Sequence, residues 1–209
     1  MLKTDLQIPG DNIPLTYAEG EIVRLNNLIE SFLMFSRPTK PKFAMVDLNR
    51  MMEQVLVGFE IQYDAEEIRL NYKIPETPFE AEADFDLLSR GISNIIQNAC
   101  EANNKQGIVD ILMAQRQNKW QLFITDQGPG ILPEERHKIF EPFFTTKATG
   151  TGLGLAFADQ VVKSHGGSIR IESPDENEAW GCRFCITLFS NTREQKSEAL
   201  EENGQFINS

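Results

Sequence analysis

The sequence has 209 residues, of which 41% are hydrophobic, and this length suits one domain with appendages. Its 20 basic and 31 acidic residues give a net charge of −11, which argues against a protein that grips DNA or RNA through clustered Lys and Arg side chains. Three cysteines are too few for a disulfide framework, and no apolar run approaches the roughly 20 residues of a membrane helix. We therefore expect a soluble cytoplasmic segment that contacts neither nucleic acid nor membrane.

The first predicted element is a long amphipathic helix over residues 17–38, which Pro38 ends. Its apolar side chains fall three and four positions apart on one face: Ile22, Leu25, Ile29 and Phe32. One such helix cannot bury its apolar stripe alone, so it is expected to pair with another helix. The segment 45–60 predicts a second helix, capped by Asp47.

Strands and helices alternate in the rest of the chain. Apolar, β-branched runs predict strands at 68–74, 107–115, 119–125, 168–173 and 182–189. The short polar segment between the second and third runs indicates a hairpin. Helices are predicted at 83–104, starting at Asp84 or Asp86, and at 152–167, where Gly166 provides the stop. This mixture favours an α+β fold with helices on one face of a sheet.

Two spaced cysteines, Cys182 and Cys185, lie in the last of these strands. No second pair and no His cluster completes a metal site, so we interpret them as small apolar residues of the strand. Residues 191–209 are polar and mostly acidic, and they predict a disordered tail.

The stretch "NIIQNACEA" places Asn94 and Asn98 four positions apart on the helix over 83–104, so both amides project from the same face. Asn lowers helix stability relative to Leu or Lys, which suggests a functional reason for the pair. A carboxamide oxygen is a suitable ligand for Mg²⁺, although two solvated asparagines on an outer face are an equally plausible interpretation of this stretch alone.

A glycine-rich loop from Asp126 to Ala156 interrupts the predicted elements, and loops of this length are usually functional or disordered. It opens on "DQGPGI", where a carboxylate follows an apolar strand and glycines let the backbone approach a ligand closely. It closes on "GTGLGLA", where backbone N–H groups at a helix N-terminus attract phosphate. Each motif alone is weak evidence.

In this order and at these separations, the motifs strongly resemble the ATP-binding domain of sensor histidine kinases, within the group that includes gyrase, the heat-shock chaperone ATPases and the mismatch-repair ATPases. The N box is "NIIQNACEA", the first glycine box "DQGPGI", the F box "EPFFTTK" and the second glycine box "GTGLGL". The resemblance covers residues 43–188. It implies a two-layer sandwich of three helices on a mixed, mainly five-stranded sheet, preceded by the long amphipathic helix.

The resemblance also implies a role for each site residue, with ATP and Mg²⁺ as the ligands. Asp126 would accept a hydrogen bond from the adenine amine, and Asn98 would bind Mg²⁺. Asn94 and Lys147 would be catalytic, with Lys147 on the phosphate chain. The other residues expected at the nucleotide are Gly128, Gly130, Ile131, Phe140, Thr145, Thr146, Gly150, Thr151, Gly152, Leu153, Gly154 and Leu155.

The loop itself resembles the lid that closes over ATP in this family. Phe140, Phe143 and Phe144 would anchor that lid on apolar surface, and we expect the segment 127–151 to be mobile without nucleotide. Glu101, one turn beyond Asn98, would either support the metal from outside its ligands or be a solvated helix side chain.

Relatives that hydrolyse ATP carry Glu where Asn94 stands, and an amide cannot accept a proton in that role. Asn94 therefore favours transfer of the γ-phosphate to an external acceptor. The segment "EIVRLNNLIESFLMFSRP" resembles the second helix of the family's dimerisation hairpin. The hairpin's acceptor His is expected upstream of this sequence, because His137 and His165 suit structural positions.

The resemblance implies three regions: part of the dimerisation and phosphoacceptor hairpin over 1–40, the ATP-binding kinase domain over 41–190 and the acidic tail over 191–209. The expected partners are ATP, the phosphoacceptor domain of the same protein, a response regulator and, in the full-length protein, a second copy of the chain. A serine kinase or an ATP-driven switch of the same fold is the alternative function.

Overall fold

The computed structural model describes residues 40–63, 67–103, 106–147, 150–172, 174 and 181–190. The helix predicted over 17–38 and the tail predicted over 191–209 lie outside the described residues. In the described part of the chain, no helix is both long and apolar enough to cross a lipid bilayer.

Seven strands and three α-helices alternate along the described part of the chain. The strands are β1 Ala44–Asp47, β2 Glu67–Lys73, β3 Glu80–Ala83, β4 Gln106–Arg116, β5 Lys119–Thr125, β6 Ser168–Glu172 and β7 Arg183–Phe189. The helices are α1 Leu48–Tyr63, α2 Phe85–Ala102 and α3 Gly154–Ser164. A short 3₁₀ helix, Lys138–Phe140, lies in the long loop between β5 and α3.

The main sheet has five strands in the order β2-β4-β5-β7-β6. Strands β2 and β4 are parallel, and the other neighbours are antiparallel, so the sheet is mixed as predicted. The predicted hairpin is confirmed: β4 and β5 pair from Asp110↔Thr125 to Arg116↔Lys119. Gln117 in its turn takes a left-handed φ of 52°.

The hydrophobic core lies between the helices and one face of this sheet. In β5 the residues Trp120, Leu122 and Ile124 are fully buried, whereas Gln121 and Phe123 between them are only partly buried, which is the alternation of a strand with one covered face. The helices cover it with buried residues including Met52, Leu56, Leu88, Ile92, Ile95 and Val162. The result is the predicted α+β two-layer sandwich.

Two short strands were not predicted. Residues 45–47 were included in the second helix, but they form β1, which pairs with β3 in a separate two-stranded sheet. The helix begins only after Asp47, whose Oδ1 accepts hydrogen bonds from the N–H groups of Asn49 at 3.0 Å and Arg50 at 3.5 Å. The cap at Asp47 is therefore confirmed, and the error concerned the residues before it. Met45 is 61% exposed, so no buried periodicity marked this edge.

Helix α2 starts at the predicted residue, because the Asp84 carboxylate caps it by accepting a hydrogen bond from Leu87 N. Burial alone raises the pKa of Asp84, but backbone N–H groups of Leu87 and Lys42 outweigh it, and the pKa is lowered. Asp84 N in turn donates to His165 Nε2 at 2.9 Å, so His165 Nδ1 carries the proton and donates to the Val161 carbonyl at 2.8 Å. This buried imidazole ties the end of α3 to the start of α2, as a structural histidine would.

Helices α2 and α3 cross closely at Gly91, where an added Cβ would lie 3.2 Å from Val161 Cβ. Gly166, which takes a left-handed φ of 72°, ends α3 as predicted, and its N–H donates to the Lys163 carbonyl. The close crossing places the asparagine face of α2 against the first turn of α3.

Candidate functional site

Asp126 follows β5 directly and is only 3% exposed. Its Oδ1 accepts a hydrogen bond from Gly128 N at 2.9 Å, which folds the first glycine box back on the carboxylate. Burial raises the pKa of Asp126, while the N–H groups of Gly128 and Cys182 and the nearby Lys147 ammonium oppose part of that rise. A buried carboxylate at the end of a central strand is a directed acceptor for a ligand N–H group.

A strap made of Gly181 and Cys182 holds the backbone of Asp126. Gly181 N donates to the Asp126 carbonyl at 2.8 Å, and Asp126 N donates to the Cys182 carbonyl at 3.0 Å. A Cβ on Gly181 would lie 2.6 Å from Asp126 Oδ1 and 2.7 Å from Gly128 N, so only glycine fits. Gly130, with a φ of 78°, also lies against the Gly181 carbonyl.

The role of Gly181 was not predicted. A single glycine before a strand has no sequence signal that distinguishes a close backbone contact from an ordinary turn.

The two nearby cysteines behave as buried apolar residues. Burial, with a smaller contribution from the Asp126 carboxylate, raises the pKa of Cys182 to about 12, and burial also raises the pKa of Cys185. Both are free thiols. Cys185 lies in β7 as predicted, whereas Cys182 directly precedes that strand.

A polar bridge joins the end of α2 to the first glycine box, and no sequence pattern predicted it. Asn103 Oδ1 accepts a hydrogen bond from Gln127 N at 2.8 Å, and Asn103 Nδ2 donates to the Ile108 carbonyl at 3.1 Å. Gln127 Oε1 accepts from Ile108 N at 3.2 Å. These bonds fix the backbone beside Asp126 to both α2 and β4.

The two N box asparagines are partly buried on the same face of α2, as their spacing predicted. Asn98 Oδ1 accepts a hydrogen bond from Lys147 Nζ at 2.7 Å, although 49 positions separate the two residues. Asn94 lies at the first turn of α3, where an added Cβ on Gly154 would lie 3.6 Å from its Oδ1. The N box therefore contacts both the lid and the second glycine box.

The contacts of the Lys147 ammonium indicate whether the N box edge of the site suits a cation. It lies 2.7 Å from Asn98 Oδ1 and 2.7 Å from Glu101 Oε2, so an amide oxygen and a carboxylate already hold one positive charge there. Mg²⁺ prefers such oxygen donors and retains several waters, which a site with few protein ligands allows. No group of three His, Cys, Asp or Glu side chains suited to a metal occurs among the described residues. The Asn98 oxygen is of the kind that Mg²⁺ binds, and the assignment of the metal to Asn98 stays a prediction.

The second glycine box forms the entry to α3. Thr151 Oγ1 accepts a hydrogen bond from Leu153 N at 3.3 Å, and Leu153 is buried while Leu155 is partly exposed. The first turn of an α-helix has backbone N–H groups without intrahelical partners, which suit a phosphate. Gly152, with a φ of 67°, lies so close to the Phe143 backbone that a Cβ would clash with it.

Two hydrogen bonds link the described residues before this box. Thr145 Oγ1 accepts from Lys147 N at 3.1 Å, and Gly150 N donates to the Lys147 carbonyl at 3.1 Å. Thr145 and Thr146 are exposed residues. The Lys147 side chain reaches the N box.

The predicted apolar anchor of the lid is partly wrong. Phe143 is 61% exposed and takes a left-handed φ of 68°, so it does not pack on apolar surface. Phe140 and Phe144 are partly buried, and Ile139 in the 3₁₀ helix is the buried side chain. Ile131, the last residue of the first glycine box, is partly buried as well.

Residues 83–192 match the family described as histidine kinase-, DNA gyrase B-, and HSP90-like ATPase. Sensor histidine kinase ZraS of Escherichia coli O157:H7 is 34% identical over 168 residues, which cover 80% of this chain and 36% of ZraS. Signal transduction histidine-protein kinase AtoS of Escherichia coli strain K12 is 38% identical over 172 residues, which cover 80% of this chain and 27% of AtoS. The chain spans about a third of the length of these curated relatives.

Solved structures agree with the sequence relatives. The nucleotide-free catalytic domain of histidine kinase ThkA is 31% identical, with a TM-score of 0.64 over 71% of this chain and 96% of that domain. ThkA in complex with response regulator protein TrrA is 26% identical, with a TM-score of 0.70 over 92% of this chain and 54% of that chain. The family match extends over more than half of the sequence and includes all four motifs. The chain belongs to the family of histidine kinase-, DNA gyrase B- and HSP90-like ATPases.

Proposed function

We propose that this chain is the ATP-binding catalytic part of a two-component sensor histidine kinase. It transfers the γ-phosphate of ATP to a histidine of the dimerisation hairpin, for relay to an aspartate of a response regulator. The observation that carries this proposal is the 2.7 Å contact of Lys147 with Asn98, which joins the lid to the N box beside the N-terminus of α3. On this proposal, the N box, the lid and the second glycine box supply the groups that bind the phosphates at one edge of the site.

The two ends of the nucleotide are bound by different groups. The buried Asp126 carboxylate accepts a hydrogen bond from the adenine amine, and Gly128 and Gly130 let the backbone approach the base. Gly152 and Gly154 present backbone N–H groups to the phosphates at the start of α3, where the helix dipole favours negative charge. The Gly150 N–H donates to the Lys147 carbonyl in this structure, and it joins them when that bond is exchanged for one to a phosphate oxygen. Lys147 and the hydroxyls of the exposed residues Thr145 and Thr146 complete the phosphate end.

Asn98 is the residue that would hold Mg²⁺. When bound, the metal neutralises charge on the phosphates and orients them. Lys147 supplies a second positive charge for the phosphoryl group that moves, since such transfer depends mainly on positioning and electrostatic stabilisation.

Transfer to a histidine is favoured over hydrolysis because Asn94 is an amide at the first turn of α3. Attack by water needs a base to take its proton, and a carboxamide cannot be that base. A neutral imidazole nitrogen attacks with its own lone pair, so it needs no such base. His165 is not the acceptor, because it is buried and both its ring nitrogens are hydrogen-bonded.

The names of the relatives support the proposed partners. ZraS and AtoS are named as histidine kinases, and ThkA was solved with a response regulator. We assign this chain the same kind of partners: a hairpin bearing the acceptor histidine, a response regulator and, in the full-length protein, a second copy of the chain. The proposed location is the cytoplasm, where ATP and a response regulator are available.

The test is to incubate the 209-residue chain with γ-labelled ATP and Mg²⁺, with and without a separately supplied hairpin that carries a histidine acceptor. We expect acid-labile, alkali-stable label on the hairpin and none on the chain alone. The Asn98→Ala variant is the matched control and should abolish labelling of the hairpin. Label on serine, or release of phosphate without transfer, would contradict the proposal and favour a serine kinase or an ATP-driven switch.

A further inference from the structure

A chain of four polar side chains lies along the exposed edge of the N box. Gln97 Nε2 donates to Glu101 Oε1 at 3.0 Å, and Glu101 Oε2 pairs with Lys147 Nζ at 2.7 Å. Lys147 Nζ also donates to Asn98 Oδ1 at 2.7 Å. Each oxygen of the Glu101 carboxylate therefore has its own partner, one from α2 and one from the lid.

Of the two groups that hold the ammonium, only Glu101 carries charge. Lys147 and Glu101 are 37% and 43% exposed, so water competes for both, and the neutral Asn98 amide alone is a weak partner for an ammonium. Gln97 fixes the rotamer of Glu101 from one turn away on the same helix. The lid lysine is thus held at the N box by a carboxylate that is itself oriented.

A metal ion on Asn98 would change these contacts in a defined way. Two cations on the same oxygen repel each other. Lys147 would then give up Asn98 and keep the Glu101 carboxylate. Glu101 would hold the ammonium at the phosphate end of the site after the metal has taken Asn98.

We propose that Glu101 is a positioning residue, which holds the Lys147 ammonium where the terminal phosphate of a nucleoside triphosphate arrives. A diphosphate lacks that terminal group, so Glu101 acts through Lys147 to favour triphosphate over diphosphate. This inference rests on the proposed function, because it assigns the phosphate end of a nucleotide to the edge formed by Asn98 and Lys147.

The experiment measures binding rather than turnover. Affinities of the 209-residue chain for the ATP analogue AMPPNP and for ADP, both with Mg²⁺, are determined by titration calorimetry. For Glu101→Gln we expect AMPPNP binding to weaken about fivefold, the upper range for loss of a partly exposed ion pair, and ADP binding to change less than about twofold. The Lys147→Met variant should also lose the preference for AMPPNP over ADP. Adding Glu101→Gln to that variant should weaken AMPPNP binding no further.

The matched control is Asp159→Asn, which removes a carboxylate from the Lys163–Asp159 ion pair on α3, also 2.7 Å long. It should leave both affinities unchanged. Removing one negative charge near an anion would by itself strengthen the binding of both AMPPNP and ADP. Weaker binding of AMPPNP in Glu101→Gln therefore distinguishes positioning of Lys147 from a general charge effect. Equal weakening of both ligands, tighter AMPPNP binding, or weakening that persists without Lys147 would overturn the assignment of Glu101. If the unmodified chain bound neither nucleotide, the proposed function itself would fail.

Discussion

Asp126 is held by backbone atoms, whereas Lys147 is held by side chains. The strap of Gly181 and Cys182 and the turn at Gly128 surround the carboxylate, which is 3% exposed. The Lys147 ammonium is hydrogen-bonded to Asn98 and Glu101, and its side chain is 37% exposed. The adenine end of the proposed site is therefore built into the sheet, and the phosphate end depends on contacts that water and ligand can replace.

This difference predicts which end of the site must become ordered when a ligand binds. Backbone hydrogen bonds next to a central strand open only with large parts of the fold, whereas exposed side-chain contacts open locally. The adenine end should be preformed in the free protein, and the lid should become ordered mainly when nucleotide binds.

The largest expected effect is in hydrogen exchange of the nucleotide-free chain. Amides of Leu122 and Ile124 in β5 should exchange at least about 10³-fold more slowly than those of Thr146 and Lys147, since core strands approach the global unfolding free energy and exposed loops do not. Amide exchange followed by NMR or mass spectrometry measures this ratio. Similar protection in the two regions would remove the contrast between a preformed and an adaptable end.

A second prediction tests the strap through glycine substitutions. In Gly181→Ala the new methyl group would meet Asp126 Oδ1 and Gly128 N within 2.7 Å, so the glycine box must move. We expect the free energy of unfolding to fall by about 1–3 kcal/mol and ATP affinity to fall by about 100-fold.

Gly58→Ala on α1 is the control for that change. Nothing lies within 4 Å of an added Cβ there, so alanine should stabilise the helix by about 0.5–1 kcal/mol without altering affinity. Urea unfolding and calorimetry measure both quantities. Equal effects of the two substitutions would show that the strap does not position Asp126.

Asp126→Asn should separate binding from stability. Loss of a hydrogen bond to a charged group costs about 1.5–3 kcal/mol, which is about 10–100-fold in ATP affinity. Burial raises the pKa of Asp126, so the folded state binds the proton more tightly than the unfolded state. The free energy of unfolding should therefore fall as pH rises from the ordinary value of 3.8 through the raised pKa, and stay level above it.

The variant lacks this titration, so at neutral pH it should be at least as stable as the unmodified chain. ATP affinity of the unmodified chain should fall as pH drops through the same window, because the adenine amine requires the ionised carboxylate. Unfolding and binding measured across that window test both statements. An affinity that does not depend on the charge of Asp126 would place adenine elsewhere.

Much of the preformed end could be predicted from the sequence, because its signals are local. An apolar strand that ends in Asp126 and turns at Gly128 is a short pattern, and the asparagines of α2 follow from helical spacing. The strap at Gly181 could not be predicted, since it joins residues that are far apart in the sequence. The contact of Lys147 with Asn98, 49 positions away, depends on how the lid folds back.

The lid aromatics show a further limit of sequence reasoning. Three phenylalanines near a glycine-rich loop predicted an apolar anchor, but the left-handed backbone of Phe143 turns its ring outward. Ile139, which has no motif around it, is buried instead.

The smallest expected effect comes from Phe143 itself. A non-glycine residue in the left-handed region costs roughly 1–2 kcal/mol, and Asn tolerates that region better than Phe. Since Phe143 is 61% exposed, Phe143→Asn removes little buried surface and should raise the free energy of unfolding by about 0.5–1 kcal/mol. Phe144→Asn, at a partly buried neighbour without a left-handed φ, should lower it instead. Urea unfolding of the two variants gives the comparison. A loss of stability in Phe143→Asn equal to that in Phe144→Asn would mean that the Phe143 ring is packed, and the lid would then be anchored as firmly as the adenine end.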